Sequence, residues 1–236
     1  MKAVIQAGGK GTRLHPYTLA LPKPLMPVGD QPVLMILLKW LRKWGVKNAY
    51  ITTGYLGDLI QILCESINHS DMEISYSKEP EPLGTVGALR LLDTVLTDTF
   101  FTVNGDVICD MDLNAFYAFH KHRRSTLTVA VTRTVQKIDY GVFDCCNDMV
   151  THFREKPKMN FTVSMGVYCM EPEILKYIPD GMPFGFDDLV HELLRQNTPI
   201  YLYPHDGFWL DIGREADYKL AQEIFLKEYK SSILGC

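Results

Sequence analysis

The chain has 236 residues, about one and a half typical domains, which allows one large α/β-sized unit or two small ones and excludes a multidomain machine. Hydrophobic residues make up 47% and charged residues 22%, an ordinary globular balance that excludes bulk disorder. The 24 Lys and Arg against 28 Asp and Glu leave a net charge of −4, with no footprint for nucleic acid or an anionic membrane, so any phosphate must be held locally.

The longest apolar run, Val33 to Leu38, is far short of the ~20 residues of a membrane span. Met1-Lys2 leads directly into a strand-like run, so a signal peptide is not expected. The six cysteines (Cys64, Cys109, Cys145, Cys146, Cys169, Cys236) show no C-x-x-C spacing, so neither a zinc knuckle nor a disulfide framework is expected. A reducing cytoplasm fits this usage.

In chain order, Ala3-Val4-Ile5 reads as a buried strand running into Gly8-Gly9-Lys10-Gly11, and Pro32 opens a helix from Val33 to Trp44 stopped by Gly45. The alternation continues with a strand at Ala49–Thr53, a helix at Leu56–Ile67, a strand at Glu73–Ser77, a helix at Thr85–Leu96 and a strand at Thr99–Val103. Strands separated by helices of this length predict right-handed crossovers and a mainly parallel, Rossmann-like α/β sheet with helices on both faces. After Asp112 the pattern becomes α+β. A helix at Leu113–Arg123 precedes strands at Thr126–Thr132, Gly141–Cys145, Val150–Arg154 and Thr162–Met170. Helices at Pro172–Tyr177 and Phe186–Gln196, a strand at Ile200–Tyr203 and a helix at Arg214–Tyr229 complete the order. No Gly/Ser or Pro linker divides the chain. The expectation is one domain over 1–236, with a nucleotide-binding half over about 1–112 and a second half, about 113–229, that lays strands and a lid over the first.

The strongest chemical signal is Ala7-Gly8-Gly9-Lys10-Gly11-Thr12-Arg13-Leu14 at the end of the first strand, where open α/β sheets bind ligands. Its glycines let backbone N–H groups approach a phosphate chain, and Arg13 offers a planar fork of donors. Leu14 stands where the third glycine of a dinucleotide fingerprint would be, and the loop is not a P-loop either. A glycine-rich turn with a surface arginine reads equally well from these residues alone. Eight residues on, Pro22-Lys23-Pro24 is expected to hold one lysine in a stiff, extended segment as a pre-organised charge.

Together, A-G-G-K-G-T-R-L and P-K-P-L-M-P-V resemble the sugar-phosphate nucleotidyltransferases, the nucleoside-diphosphate-sugar pyrophosphorylases. Five further blocks keep that family's order: Glu79-Pro80-Glu81-Pro82-Leu83-Gly84-Thr85, Val103-Asn104-Gly105-Asp106, Tyr140-Gly141-Val142-Phe143, Glu155-Lys156-Pro157 and Trp209-Leu210-Asp211-Ile212-Gly213. The E-P-L-G-T form is most similar to the mannose-1-phosphate and heptose-1-phosphate guanylyltransferase branch and to related enzymes of cell-surface polysaccharide synthesis. Gln6, where the family usually has an aliphatic residue, and Ser164, where many members have an asparagine near the sugar, are departures that bear on the substrate. The left-handed β-helix of some longer relatives is not expected.

The resemblance implies a Mg²⁺-dependent reaction in which NTP, GTP favoured, and a sugar 1-phosphate give an NDP-sugar and pyrophosphate. It implies Arg13, Lys23 and Asp106 at the reacting phosphates, and Ala7, Gly8, Gly9, Gly11, Thr12, Glu79, Gly84 and Thr85 along the nucleotide. For the sugar phosphate it implies Gly141, Glu155, Lys156 and Ser164, with Asp106 and Asp211 holding the metal; a homo-oligomer stays open. Mg²⁺ takes one or two protein carboxylates plus phosphates, and both aspartates follow strand-like runs; Asp106 as a turn former and Asp211 as a helix N-cap are the structural alternatives. Glu155-Lys156-Pro157 also reads as a solvated turn, and Glu79 as a residue that merely opens the Pro80–Leu83 turn. The rivals are a glycosyltransferase using Asp110-Met111-Asp112 as its metal motif, and a non-catalytic regulatory relative, which would be expected to have lost Arg13, Lys23 or Asp106. His120-x-His122 is expected on a helix surface, and Phe184, Phe186, Phe208 and Trp209 in packing.

Overall fold

The computed structural model describes residues 1–66 and 71–224. Strand β1 (Lys2–Ala7) runs into the glycine loop. Three 3-10 turns (Thr12–Leu14, Tyr17–Leu19, Lys23–Leu25) and a two-residue ladder, β2 (Pro27–Val28) with β3 (Gln31–Pro32), lead to helix α1 (Val33–Lys43). Next come β4 (Asn48–Thr53), α2 (Gly57–Glu65), β5 (Glu73–Lys78), α3 (Gly84–Gly87) continued by a 3-10 stretch Ala88–Leu92, β6 (Phe100–Asn104), β7 (Val107–Cys109) and α4 (Leu113–Arg123). The second half holds β8 (Leu127–Lys137), β9 (Val142–Cys146), β10 (Met149–Arg154), β11 (Lys158–Met170), a 3-10 turn Pro172–Tyr177, α5 (Phe186–Arg195), β12 (Ile200–Pro204), β13 (Trp209–Asp211) and α6 (Glu215–Ile224).

Seven strands form one sheet in the order β12-β8-β11-β6-β1-β4-β5. Neighbours are parallel except around β11, which runs against both β6 and β8. The Rossmann-like, mainly parallel α/β expectation therefore holds. The second-half strands β8, β11 and β12 do not overlie the first half as expected; they extend its sheet edge to edge. A hairpin, β9 with β10, projects as a separate two-stranded ladder.

Alternation along the central strands sends side chains to two cores. On one face Ile5, Ile51, Phe101 and Val103 pack with α1, whose Val33, Leu34, Leu37 and Trp40 are buried, and with Phe116 of α4. On the other face Val4, Phe100, Tyr168 and Met170 pack under Val86, Leu89, Ile174 and Leu189. Both faces are covered, so β1 and β6 are apolar runs and read clearly in sequence.

Several expectations are corrected. The helix expected over Thr85–Leu96 is one α-turn followed by 3-10 structure. A Cβ on Gly87 would come within 3.0 Å of the Met182 carbonyl, and one on Gly84 within 2.7 Å of the Phe184 carbonyl; this close docking of the Met182–Phe184 backbone fixes the tight turn. Lys23 is not in an extended segment, because Pro22 is extended but Lys23–Leu25 closes as a 3-10 turn, which proline's fixed φ accommodates. His120 is buried, not on the surface, whereas His122 is exposed. Two residues apart on α4, they face opposite ways. The predicted ends of the helices at Ile67 and Tyr229 lie outside the described residues.

Candidate functional site

The sheet's carboxyl edge opens into a cleft of about 390 Å³. Its wall is the loop after β1, including Gly8, Gly9, Gly11, Thr12 and Arg13; its far side is Glu79, Pro82, Gly84 and Thr85. Gln6, Thr52, Asn104 and Gly105 form the floor, and Lys23 and Asp106 stand at one end. All eight residues expected along the nucleotide, Ala7 included, line this one cleft. Gly11 has φ of 62°, a left-handed conformation that suits glycine, and its carbonyl accepts from Thr18 Oγ1 at 2.9 Å. Gly105 is required by contact: its N–H donates to the Gln6 carbonyl at 2.9 Å, and a Cβ there would come within 2.7 Å of that oxygen.

Asp106 follows β6 as expected from the sequence, and the short antiparallel ladder of β7 with β13 brings Asp211 to it. Asp211 lies opposite Val107, and the Ile212 N–H donates to the Asp106 carbonyl at 3.2 Å. Lys23 pairs with Asp106 Oδ2, and its Nζ lies 3.8 Å from Asp211 Oδ1. That Asp211 oxygen is buried and has no hydrogen-bond partner. Burial, then the neighbouring Asp106 charge, raises the Asp211 pKa to about 6, against the pull of Lys23 and Arg13. Arg13 reaches this group over Gly213: a Cβ there would lie 3.1 Å from Asp211 Oδ1 and 3.4 Å from Arg13 Nη2. Two carboxylates and two cations thus share one corner. The buried Asp211 oxygen and the hard, all-oxygen acceptor pair fit a divalent cation such as Mg²⁺.

Glu79 stands at the other end. Its N–H donates to the Thr53 carbonyl at 2.8 Å, and its Oε2 accepts from the Leu83 N–H at 3.0 Å. Burial raises its pKa, partly offset by that N–H. Its carboxylate rests where a side chain on Gly8 would be. Glu79 therefore both holds the turn and forms part of the cleft wall.

The residues expected on the sugar side are not among those lining this cleft. Gly141 and Glu155 meet on the β9–β10 hairpin, where a Cβ on Gly141 would lie 2.6 Å from the Phe153 ring and 3.3 Å from Glu155 Oε2. Lys156 sits in the turn into β11 with φ of 44°. Ser164 lies in an irregular stretch of β11. Its Oγ accepts from the Gly166 N–H at 3.2 Å and donates to Tyr168 Oη at 3.3 Å. The Tyr168 hydroxyl, raised in pKa chiefly by burial, also feels Asp106 and Asp211, so Ser164 approaches the acidic corner through Tyr168. Asp110 and Asp112, the rival metal motif, are engaged elsewhere. Asp112 Oδ1 caps α4 by accepting from the Asn114 and Ala115 N–H groups at 2.8 and 2.9 Å, and Asp110 Oδ1 lies 2.9 Å from His205 Nε2. Gln6 on the cleft floor and Tyr168 beside the acidic corner are residues here to which the motifs assign no role. Only the unusual amide at position 6 was visible as a signal.

The sheet order and the glycine-loop cleft at its carboxyl edge make this a Rossmann-like α/β protein with its ligand cleft where such sheets bind nucleotides. The family model described as nucleotidyl transferase matches residues 2–228, and the chain belongs to that family. It is 33% identical to the mannose-1-phosphate guanylyltransferase catalytic subunit beta of Xenopus tropicalis over 98% of this chain and 66% of the relative. It is 31% identical to the mannose-1-phosphate guanyltransferase of Saccharomyces cerevisiae over 96% of this chain and 65% of the relative. The chain thus spans just under two thirds of the length of these relatives. Among solved structures, HddC from Yersinia pseudotuberculosis superposes with a TM-score of 0.75 at 26% identity, covering 94% of this chain and 98% of that one; it has also been solved complexed with GMP-PN. A putative glucose-1-phosphate thymidylyltransferase from Bacillus anthracis shares the fold with a TM-score of 0.75 at 22% identity, covering 94% of each chain.

Proposed function

We propose that the chain is a sugar-1-phosphate nucleotidyltransferase that favours GTP, forming a nucleoside-diphosphate sugar and pyrophosphate. The observation that carries this reading is the meeting of Asp106 and Asp211, from two separate ladders, with Lys23 and Arg13 at the end of a glycine-walled cleft. The names of the relatives, two mannose-1-phosphate guanylyltransferases, support the guanine preference. A GMP-PN complex of a similar fold supports a guanine nucleotide in such a cleft.

In this reading an oxygen of the sugar's phosphate attacks the α-phosphorus, and the bond from that phosphorus to the β-phosphate oxygen breaks in line. The nucleophile is already anionic, so no general base is required, and catalysis rests on positioning and charge neutralisation. Arg13 and Lys23 bind the triphosphate, Lys23 turning from Asp106 toward phosphate when nucleotide arrives. Asp106 and Asp211 would hold Mg²⁺, which when bound supplies positive charge against the developing pyrophosphate. Lys156 holds the attacking phosphate, while Glu155, Ser164 and the Gly141 backbone serve the sugar. Glu79 accepts from the N1–H and exocyclic amine of guanine; thymine and uracil would meet it with carbonyl oxygens flanking a single N–H. The engagement of Asp110 and Asp112 in other contacts disfavours the glycosyltransferase reading. We place the reaction in the cytoplasm as a supply step for surface polysaccharide. No helix among the described residues is long and apolar enough to cross a membrane. The test is pyrophosphate release from a panel of four NTPs and several sugar 1-phosphates with and without EDTA. Release that is fastest with GTP and lost in EDTA is expected, and no release with any pair refutes the reading.

A further inference from the structure

Gln6 has no task in the reaction proposed above, yet both polar atoms of its side chain are buried and neither has a hydrogen-bond partner. A primary amide offers two donors and an acceptor, and burying them unmet is costly enough to call for an explanation. Its in-register neighbours on the cleft floor are Thr52 of β4 and Asn104 of β6, and neither completes it. Thr52 Oγ1 faces the Ile5 carbonyl at 3.4 Å, and the Asn104 side chain packs where a Cβ on Gly166 would be.

Continuing the alternation of β1, Gln6 and Gly8 lie on the same side of the chain, and the Glu79 carboxylate occupies the space over Gly8. Two residues of strand span about 7 Å. An accept-only carboxylate over Gly8 and a give-and-take amide on the adjoining floor are therefore set within the reach of a single nucleobase. With Glu79 on N1–H and one amine hydrogen of guanine, the adjacent edge offers the second amine hydrogen and the N3 lone pair. That donor and acceptor, side by side, match the Gln6 carbonyl and amide together.

We infer that Gln6 is a specificity-determining residue, its side-chain amide reading the amine–N3 edge of a guanine nucleotide whose other edge is held by Glu79. This rests on the guanylyltransferase reading above. The amide reaches the base by rotation about its own side-chain bonds, a fast rotamer motion, while its aliphatic stem stays on the cleft floor. Two of the four hydrogen bonds to guanine depend on Gln6. One of those two vanishes if the 2-amine is missing.

The experiment measures dissociation constants by calorimetry for GTP and ITP, which lacks the 2-amine, on wild type, Gln6→Leu and Gln6→Glu. Gln6→Leu is expected to weaken GTP by at least ~10-fold, the effect of one bidentate base contact. It is expected to weaken ITP by less, so that the preference for GTP over ITP shrinks. Because the leucine replaces an unmet amide by an apolar group of similar shape, the ligand-free variant is expected to melt no lower than wild type. Gln6→Glu keeps the size and removes the donors, and is expected to lose GTP to a similar degree. Unchanged GTP affinity in either folded variant overturns the inference, as does an equal loss of GTP and ITP. Wild type that binds GTP while the Gln6 variants bind it equally well refutes this inference alone. Wild type that binds no nucleotide refutes the proposed function with it.

Discussion

Replacing Asp211 by asparagine is expected to stabilise the ligand-free protein while abolishing its turnover. The carboxylate is held beside Asp106 with one oxygen buried and without a hydrogen bond, and burial with the Asp106 charge raises its pKa from 3.8 to about 6. A shift of that size corresponds to at most about 3 kcal/mol between the two protonation states. The side chain is 40% exposed, so solvent screening reduces this to about 1–1.5 kcal/mol. An acid whose folded pKa lies above its unfolded value binds more protons in the folded state, and stability therefore falls as pH rises through that window. The cost is fully present above about pH 6 and absent below about 3.8, and asparagine, equal in volume and uncharged, removes it. At pH 7.5 the variant is expected to melt about 2–6 °C higher in a chain of this size, with the gain disappearing between pH 6 and 4. Differential scanning fluorimetry across that pH range, beside a pyrophosphate-release assay, measures both effects. A variant that melts lower than wild type at pH 7.5, or that keeps near-normal turnover, refutes the reading of a strained, functional carboxylate pair.

Lys156→Ala is expected to raise KM for the sugar 1-phosphate at least ~10-fold with little change for NTP, whereas Lys23→Ala lowers kcat. Varying each substrate in turn checks this, and equal effects on both KM values count against it. Glu79→Gln is expected to narrow the GTP preference over UTP by ~10-fold, since an amide can both donate to and accept from uracil; an unchanged ratio of kcat/KM values assigns base reading elsewhere. His120, buried with Nδ1 2.7 Å from Thr128 Oγ1 and Nε2 3.3 Å from Glu171 Oε1, has its pKa lowered by burial against the pull of Glu171. The unfolded chain therefore takes up a proton first, and stability is expected to fall as pH drops below about 6.5. Melting temperatures of wild type and His120→Asn over pH 5–8 test it, with a flatter profile expected for the variant.

The parallel strands β1, β4 and β6 were legible because strands buried on both faces are largely apolar runs, the edge strand β5 because Ile74 and Tyr76 alternate with polar residues, and α1 because Pro32 and Gly45 bracket it. What failed to show were features made by contact at a distance. Strands β7 and β13 have three residues each, too few for a period to register. Their ladder is nevertheless what sets Asp211 opposite Val107 and hence beside Asp106. The block order of a family resemblance paired the two aspartates, but no local pattern in the chain brings them together. The helix expected from Thr85 was lost to the Met182–Phe184 backbone packed over Gly84 and Gly87. His120 was misplaced because the two-residue spacing of His120 and His122 rules out a shared helix face but does not say which of the two is buried; His120 turns onto the sheet toward Thr128.

The cleft and the acidic corner at its end carry polar groups unmet or mismatched at three separate points. Asp211 holds a buried oxygen without a hydrogen bond, Gln6 an amide without partners, and Glu79 a carboxylate whose pKa burial raises. Lys23, paired to Asp106 and close to Asp211, compensates the acidic corner only in part, since the Asp211 pKa is still raised. A site of this kind is less stable empty than an apolar one of the same shape. Substrate and metal complete all three groups at once in the proposed reading: a cation the carboxylates, guanine the amide and the glutamate. Part of the binding energy then comes from relieving what folding left unmet, so substitutions that stabilise the empty protein at Asp211 or Gln6 are also those that weaken its complexes.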